Sequence, residues 1–199
     1  MSSRLVIDLF VEDRGHEELL RPLLERIGRE QGKTVDVRVR QARGGPGRVL
    51  GELSLYQKSV LKGVNSMTLP DLLVVAIDAN CNSFQETRTN IQTRLEDEFR
   101  DRTICACPDP HVERWYFADL AAFHQVVGSA SAPGRQKCQR GVYKTLLANA
   151  ITEAGHPSLL GGIEFARELV EAMDFYRAGK EDNSLKHFLD EVAFRFKST

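Results

Sequence analysis

Six apolar residues run without interruption from Leu72 to Ile77 and stop at Asp78. An aliphatic, partly β-branched run of that length predicts a strand buried on both faces, as in a parallel sheet with helices above and below. Arg4 to Val11 is a second apolar stretch, and it ends in Glu12-Asp13. Residues 34–40 alternate instead: Val35, Val37 and Val39 point one way, Asp36, Arg38 and Arg40 the other. That pattern predicts a half-exposed strand near a sheet edge. Thr103 to Cys107 reads as a further short strand. Strands are therefore expected near 4–11, 35–40, 71–77 and 103–107.

Helical spacing fills the intervals. Leu19, Leu20, Leu23, Leu24 and Ile27 recur on one face after the first strand. Pro22 is awkward there, and marks either the first turn of a later helix or a kink. A helix is expected over 49–62. Ser83 and Glu86 have capping-box spacing ahead of a helix over 84–101, with Ile91, Leu95 and Phe99 as its buried stripe. Helices near 142–153, 163–177 and 184–196 close the chain. The whole predicts an α/β fold: a mostly parallel sheet of about four strands sandwiched by helices over 1–120, and a helical extension packed on it over 121–199.

Composition adds limits. The 199 residues are 42% hydrophobic and 28% charged with a net charge of −1, so global charge does not mark a nucleic-acid binder. Basic residues are nevertheless segregated. Arg38, Arg40, Arg43 and Arg48 fall in one acid-free stretch around a Gly-rich loop. No acidic residue occurs from Leu120 to Thr152, where Arg135, Lys137, Arg140 and Lys144 lie. These loops suit phosphate, or serve as solvated connections. No run is long enough to span a bilayer and no leader is evident, so a cytoplasmic location without membrane partners is expected. In that compartment Cys81, Cys105, Cys107 and Cys138 would stay reduced. Cys105 and Cys107 alternate with Ile104 and Ala106 and read as small buried hydrophobes.

Candidate chemistry sits where strands end. Glu12 follows the first strand, and Asp78, Asn80 and Asn82 follow the third, at the edge where open α/β sheets bind ligands. Asp and Asn also favour plain turns. After the fourth strand come Asp109, His111 and Glu113, then Trp115, which is expected in the core. His111 is either a proton donor or, preferably, the cap of the helix it opens.

Glu12 after strand one and Asp78-x-Asn80 after a later strand resemble the signature of the Toprim (topoisomerase–primase) superfamily. The similarity is to small bacterial Toprim-like proteins and to the nuclease domains of overcoming-lysogenization-defect proteins. Val11-Glu12-Asp13-Arg14-Gly15-His16-Glu17 stands in place of their Val-Glu-Gly-x-x-Glu stretch. The segment from His111 through Glu113 and Trp115 to Asp119 resembles the Pro/Glu/Trp segment after the last strand of the small proteins. Two departures are the glycine at 15 rather than 13 and an amide, Asn80, in place of the second aspartate. The resemblance implies a Mg²⁺- or Mn²⁺-dependent nuclease, in phage defence, with Glu12, Asp78 and Glu113 catalytic and Glu12, Asp78 and Asn80 as ligands. Glu17 and His111 would be accessory. Arg43, Arg48, Arg135, Lys137 and Arg140 would contact DNA or RNA. The alternative it implies is a degenerate binding subunit working with a partner ATPase.

Overall fold

The structure is a computed structural model that describes residues 4–42, 48–129, 133–134, 136–139 and 141–198. Four strands, β1 (Arg4–Val11), β2 (Thr34–Gln41), β3 (Leu72–Ala76) and β4 (Thr103–Ala106), form one sheet in the order β2-β1-β3-β4. Every pairing is parallel. The expected α/β architecture is therefore present. The uninterrupted run β3 lies inside the sheet with all five residues buried, and the alternating β2 lies at an edge. The inner strand buries both faces, whereas the edge strand β2 is only partly covered; β4, at the other edge, is buried at all four residues.

Side chains of successive residues leave the sheet on opposite faces and build two cores. On one face Ile7, Leu9, Val74 and Ile104 meet Leu20, Leu23 and Leu24 of α1 (Arg14–Glu30). The same core takes in Trp115 of α5 (Val112–Tyr116) and Phe188 and Val192 of the last helix, α10 (Asn183–Ser198). On the other face Phe10, Leu73, Val75 and Cys105 meet Leu53 and Tyr56 of α2 (Val49–Leu61) and Ile91 of α3 (Phe84–Gln92). Phe99 of the short α4 (Asp97–Arg100) completes that core. Residues of the 1–120 and 121–199 stretches thus share the first core, which α6 (Leu120–Val127), α7 (Val142–Glu153), α8 (Ala166–Ala172) and α9 (Phe175–Glu181) enlarge.

Three helices differ from expectation. The helix over 84–101 is two pieces, because the buried Gln57 side chain grips the break: its Nε2 donates to Arg94 O at 3.0 Å and its Oε1 accepts from Glu96 N at 2.8 Å. The helix over 163–177 ends at Ala172 and restarts at Phe175, since Asp119 Oδ2 accepts the Asp174 N–H at 2.7 Å and Asp174 caps α9. α1 begins at Arg14 and continues through Pro22, so the proline is not in a first turn. Trp115 is wholly buried, stacks on Phe188 and donates from Nε1 to Ser184 Oγ at 2.9 Å. The capping box of Ser83 and Glu86 is formed as expected. Among the described residues no helix is long and apolar enough to cross a membrane.

Candidate metal centre

Parallel strands point their carboxyl ends the same way, so the loops after β1, β3 and β4 meet at one edge of the sheet. The loop after β3 runs beside the one after β4: Ala79 N donates to Pro108 O at 2.8 Å and Asn80 N to Pro110 O at 2.9 Å. Asn80 adopts φ +55°, a conformation that Asn tolerates better than most residues. Asp78 is thereby brought under the N-terminus of α5, where its Oδ1 accepts the Val112 N–H at 2.8 Å. His111 occupies the cap position of α5 without a capping hydrogen bond from its side chain. The preference for His111 as a cap is therefore corrected: Asp78 caps, and the imidazole turns to that carboxylate, Nδ1 lying 2.9 Å from Asp78 Oδ2.

Glu12 reaches the same point from β1, its Oε2 accepting the Asp78 N–H at 3.2 Å. Asp13 caps α1, and His16 one turn in is wholly buried. Its Nδ1 is 2.9 Å from Asp13 Oδ1. Its Nε2 is 3.1 Å from Asp78 Oδ1, an ion-pair contact without an aligned hydrogen bond. One ligand atom each from Glu12, His16 and Asp78 fall within 4.8 Å of one another. Glu113 is buried beside them, its Oε1 lacking a hydrogen-bond partner and 3.5 Å from Lys144 Nζ, which also binds Asp13 Oδ2 at 3.1 Å. The glycine at 15 has a steric reason: a Cβ there would stand 3.3 Å from Val112 Cγ1 and Asp13 Oδ1. Glu12, Asp13, Asp78, Glu113 and Lys144 line a cleft of about 540 Å³, with His16 buried behind them.

The electrostatics are polarised. Burial, and next the Asp78 charge, raise the Glu12 carboxyl above its ordinary range. Burial and Asp78 do the same to Glu113. Burial would raise Asp78 too, but His16 and His111 outweigh it and hold that carboxyl low. His16 would lose its charge to burial, yet Asp78 and Asp13 push its pKa up to about 10. Asp13 is held well below the usual carboxylate range because His16 and Lys144 overcome its burial. His111 is raised, chiefly by its hydrogen bond to Asp78.

Glu12, Asp78, Asn80, His111 and Glu113 thus line one cleft, as do Cys81, Cys138 and Tyr143. The Asn80 amide folds back, Nδ2 donating to Asp78 O at 3.1 Å. Glu17 does not join them; its Oε2 accepts from Gln41 Nε2 at 2.7 Å. Lys137 is engaged elsewhere, with Asp109 Oδ1 at 3.0 Å and Asn82 O at 2.8 Å. Arg48 immediately precedes α2, while Arg43, Arg135 and Arg140 lie outside the described residues. In the first basic stretch Arg38 serves the fold: its Nε meets the buried Asp8 Oδ1 at 2.5 Å, and Tyr56 OH donates to Asp8 Oδ2 at 2.5 Å. The expectation of four reduced cysteines is corrected, because Cys81 and Cys138 are disulfide-bonded across 57 residues. A turn after β3 and a loop after α6 meet at the cleft, a proximity that spacing alone does not reveal. Cys105 and Cys107 are free and buried, and burial pushes the Cys105 thiol up to about 12. Asp13 and His16 were not among the expected site residues, and Lys144 was expected only as part of a basic stretch suited to phosphate. The only sequence signal for the first two was Asp13-x-x-His16, which reads equally as an ordinary helix start.

No curated protein and no solved structure matches the chain. A family model described as a domain of unknown function, DUF4276, matches residues 11–193, from the strand end that carries Glu12 to the last helix, and the chain belongs to that family.

Proposed function

We propose that this protein is a metal-dependent phosphodiesterase acting on nucleic acid, in the manner of the Toprim nucleases its strand-end motifs resemble. The observation that carries the reading is the convergence of Glu12 and Asp78 from two strand ends and Glu113 from the first turn of α5 on one cleft that also holds Lys144. The donor set suits a cation, since Glu12, His16 and Asp78 each bring a ligand atom within 4.8 Å of the others, and neither His16 Nε2 nor Glu113 Oε1 has an aligned hydrogen bond. Glu12 and Asp78 would hold a Mg²⁺ or Mn²⁺ ion. Such an ion, when bound, orients a phosphodiester and offsets charge on the attacking and leaving oxygens. Glu113 would take a proton from water. Lys144, whose Nζ reaches both Asp13 and Glu113, supports charge on a phosphate oxygen. Binding through the phosphate backbone would be salt-sensitive and largely indifferent to sequence.

A second reading has one observation in its favour. Both Asp78 oxygens are already engaged, by Val112 N–H and His16 on one side and by His111 on the other. That arrangement also suits a non-catalytic nucleic-acid-binding subunit, with an ATPase as its partner. The deciding experiment is cleavage of single- and double-stranded DNA and RNA with Mg²⁺ or Mn²⁺, comparing the native chain with Glu12→Gln and Glu113→Gln. Cleavage lost in both variants supports the enzyme. Binding without cleavage by the native chain supports the subunit, and neither activity defeats both.

A further inference from the structure

A buried histidine that only supports a fold normally has both nitrogens hydrogen-bonded. His16 has one. Its Nδ1 is fixed on Asp13 Oδ1 at 2.9 Å, while Nε2, with the ring fully buried, stands 3.1 Å from Asp78 Oδ1 in an ion-pair contact without an aligned hydrogen bond, within the Glu12 and Asp78 cluster. A carboxylate on one imidazole nitrogen and an open cluster at the other is the arrangement by which proteins orient a metal-ligating histidine. We propose, building on the metal-binding role above, that His16 Nε2 is a direct ligand of the cation held by Glu12 and Asp78, oriented by Asp13, and that this mixed nitrogen–oxygen set selects Mn²⁺, Fe²⁺ or Zn²⁺ over Mg²⁺.

The chemistry rests on ligand hardness. Mg²⁺ takes oxygen ligands in a near-ideal octahedron and keeps much of its water. Imidazole suits the borderline transition metals, whose affinities rise from Mn²⁺ towards the later ions. Asp13 and Asp78 flank the two imidazole nitrogens, at 2.9 and 3.1 Å. A cation would take the Nε2 lone pair, any proton on Nε2 passing to solvent, while Nδ1 keeps its hydrogen bond to Asp13. Asp13 is in turn held by Lys144, so the orienting carboxylate is itself positioned. Asn80, whose amide donates to the Asp78 carbonyl, is not required as a ligand.

The test uses the full chain, titration calorimetry with Mn²⁺ and Mg²⁺, and electron spin-echo spectroscopy of bound Mn²⁺. The expected result is Mn²⁺ binding at least about tenfold tighter than Mg²⁺, with imidazole nitrogen modulation on the manganese signal. His16→Gln should remove the modulation and the preference, whereas His111→Gln should retain both. Asp13→Asn should keep the modulation and weaken Mn²⁺ roughly 10–100-fold. Equal affinity for the two ions, or a native signal without modulation, overturns the assignment and leaves a metal-dependent phosphodiesterase intact if Mg²⁺ still supports cleavage. Modulation lost in His111→Gln but kept in His16→Gln also overturns it. Binding of neither ion defeats both this assignment and the proposed activity. Should His16→Gln fail to fold, the native signal, His111→Gln and the more exposed Asp13→Asn decide the matter.

Discussion

Glu12 and Asp78 stand 66 residues apart in the chain, yet the Asp78 main-chain N–H donates to Glu12 Oε2 at 3.2 Å. β1 and β3 are hydrogen-bonded neighbours in register, Val11 opposite Ala76, so the residues just beyond each strand emerge side by side. Two carboxylates held this close in a buried corner repel, and a cation relieves the repulsion.

A divalent ion binding only the folded site should stabilise the protein. Saturation at a hundredfold excess over Kd is worth about 2.7 kcal/mol, or roughly 5–10 °C in Tm for a chain of this size. Glu12→Gln should abolish most of that shift. Asp78→Asn should abolish it too, and should cost about 3–5 kcal/mol without metal, because His16 loses the carboxylate beside its buried ring. Calorimetric melts with and without Mn²⁺ check both; an undiminished shift in Glu12→Gln would remove Glu12 from the ligand set.

Lys144 is 62% exposed at its side chain, so Lys144→Ala should leave stability within about 0.5 kcal/mol. Its Nζ contacts both Asp13 and Glu113, so the same change should slow cleavage, by roughly tenfold to a hundredfold in kcat. Steady-state rates and melting curves on one preparation separate the two effects.

Asp119 supplies a pH dependence remote from the cleft. It is buried, caps α6 and accepts a fork from Arg177, with Nη2 at 2.9 Å and Nε at 3.2 Å. Burial alone would raise its pKa, but Arg177 and the N–H groups of Asp174 and Ala122 bring it below the ordinary value. A carboxyl lowered on folding stabilises the native state above its unfolded pKa of about 3.9, and that stability is lost as pH falls through the lower folded value. Asp119→Ala should cost about 2–4 kcal/mol near neutral pH and should flatten the acid limb of the stability curve. Denaturant midpoints between pH 7 and the acid limit check the sign.

Gly28 packs α1 against β2. A Cβ there would stand 2.2 Å from Val35 Cγ2. Gly28→Ala should therefore destabilise by about 1–3 kcal/mol despite the better helix propensity of alanine. Adding Val35→Ala, which removes the opposing methyl group, should recover much of the loss. Urea titrations of the single and double variants measure the coupling.

Much of the fold was legible along the chain because its signals are local. The unbroken run at Leu72–Ile77 and the alternation at Val35, Val37 and Val39 reflect how many faces each strand buries. Ser83 and Glu86 mark a helix start by hydrogen bonds that span three residues. The acids at strand ends were legible too, since Glu12 and Asp78 each come after a strand whose direction the parallel sheet dictates. Helix breaks were not, because the one near Arg94 depends on Gln57, and the one near Met173 on Asp119. Cys81 likewise meets Cys138, 57 residues on, only in the folded chain. His16 shows most clearly what the tertiary structure decided. In sequence it is a polar residue in the first turn of a helix. Its environment arises because the ends of β1 and β3 bring Glu12, Asp13 and Asp78 around a fully buried imidazole, and burial turns weak solvated contacts into strong ones.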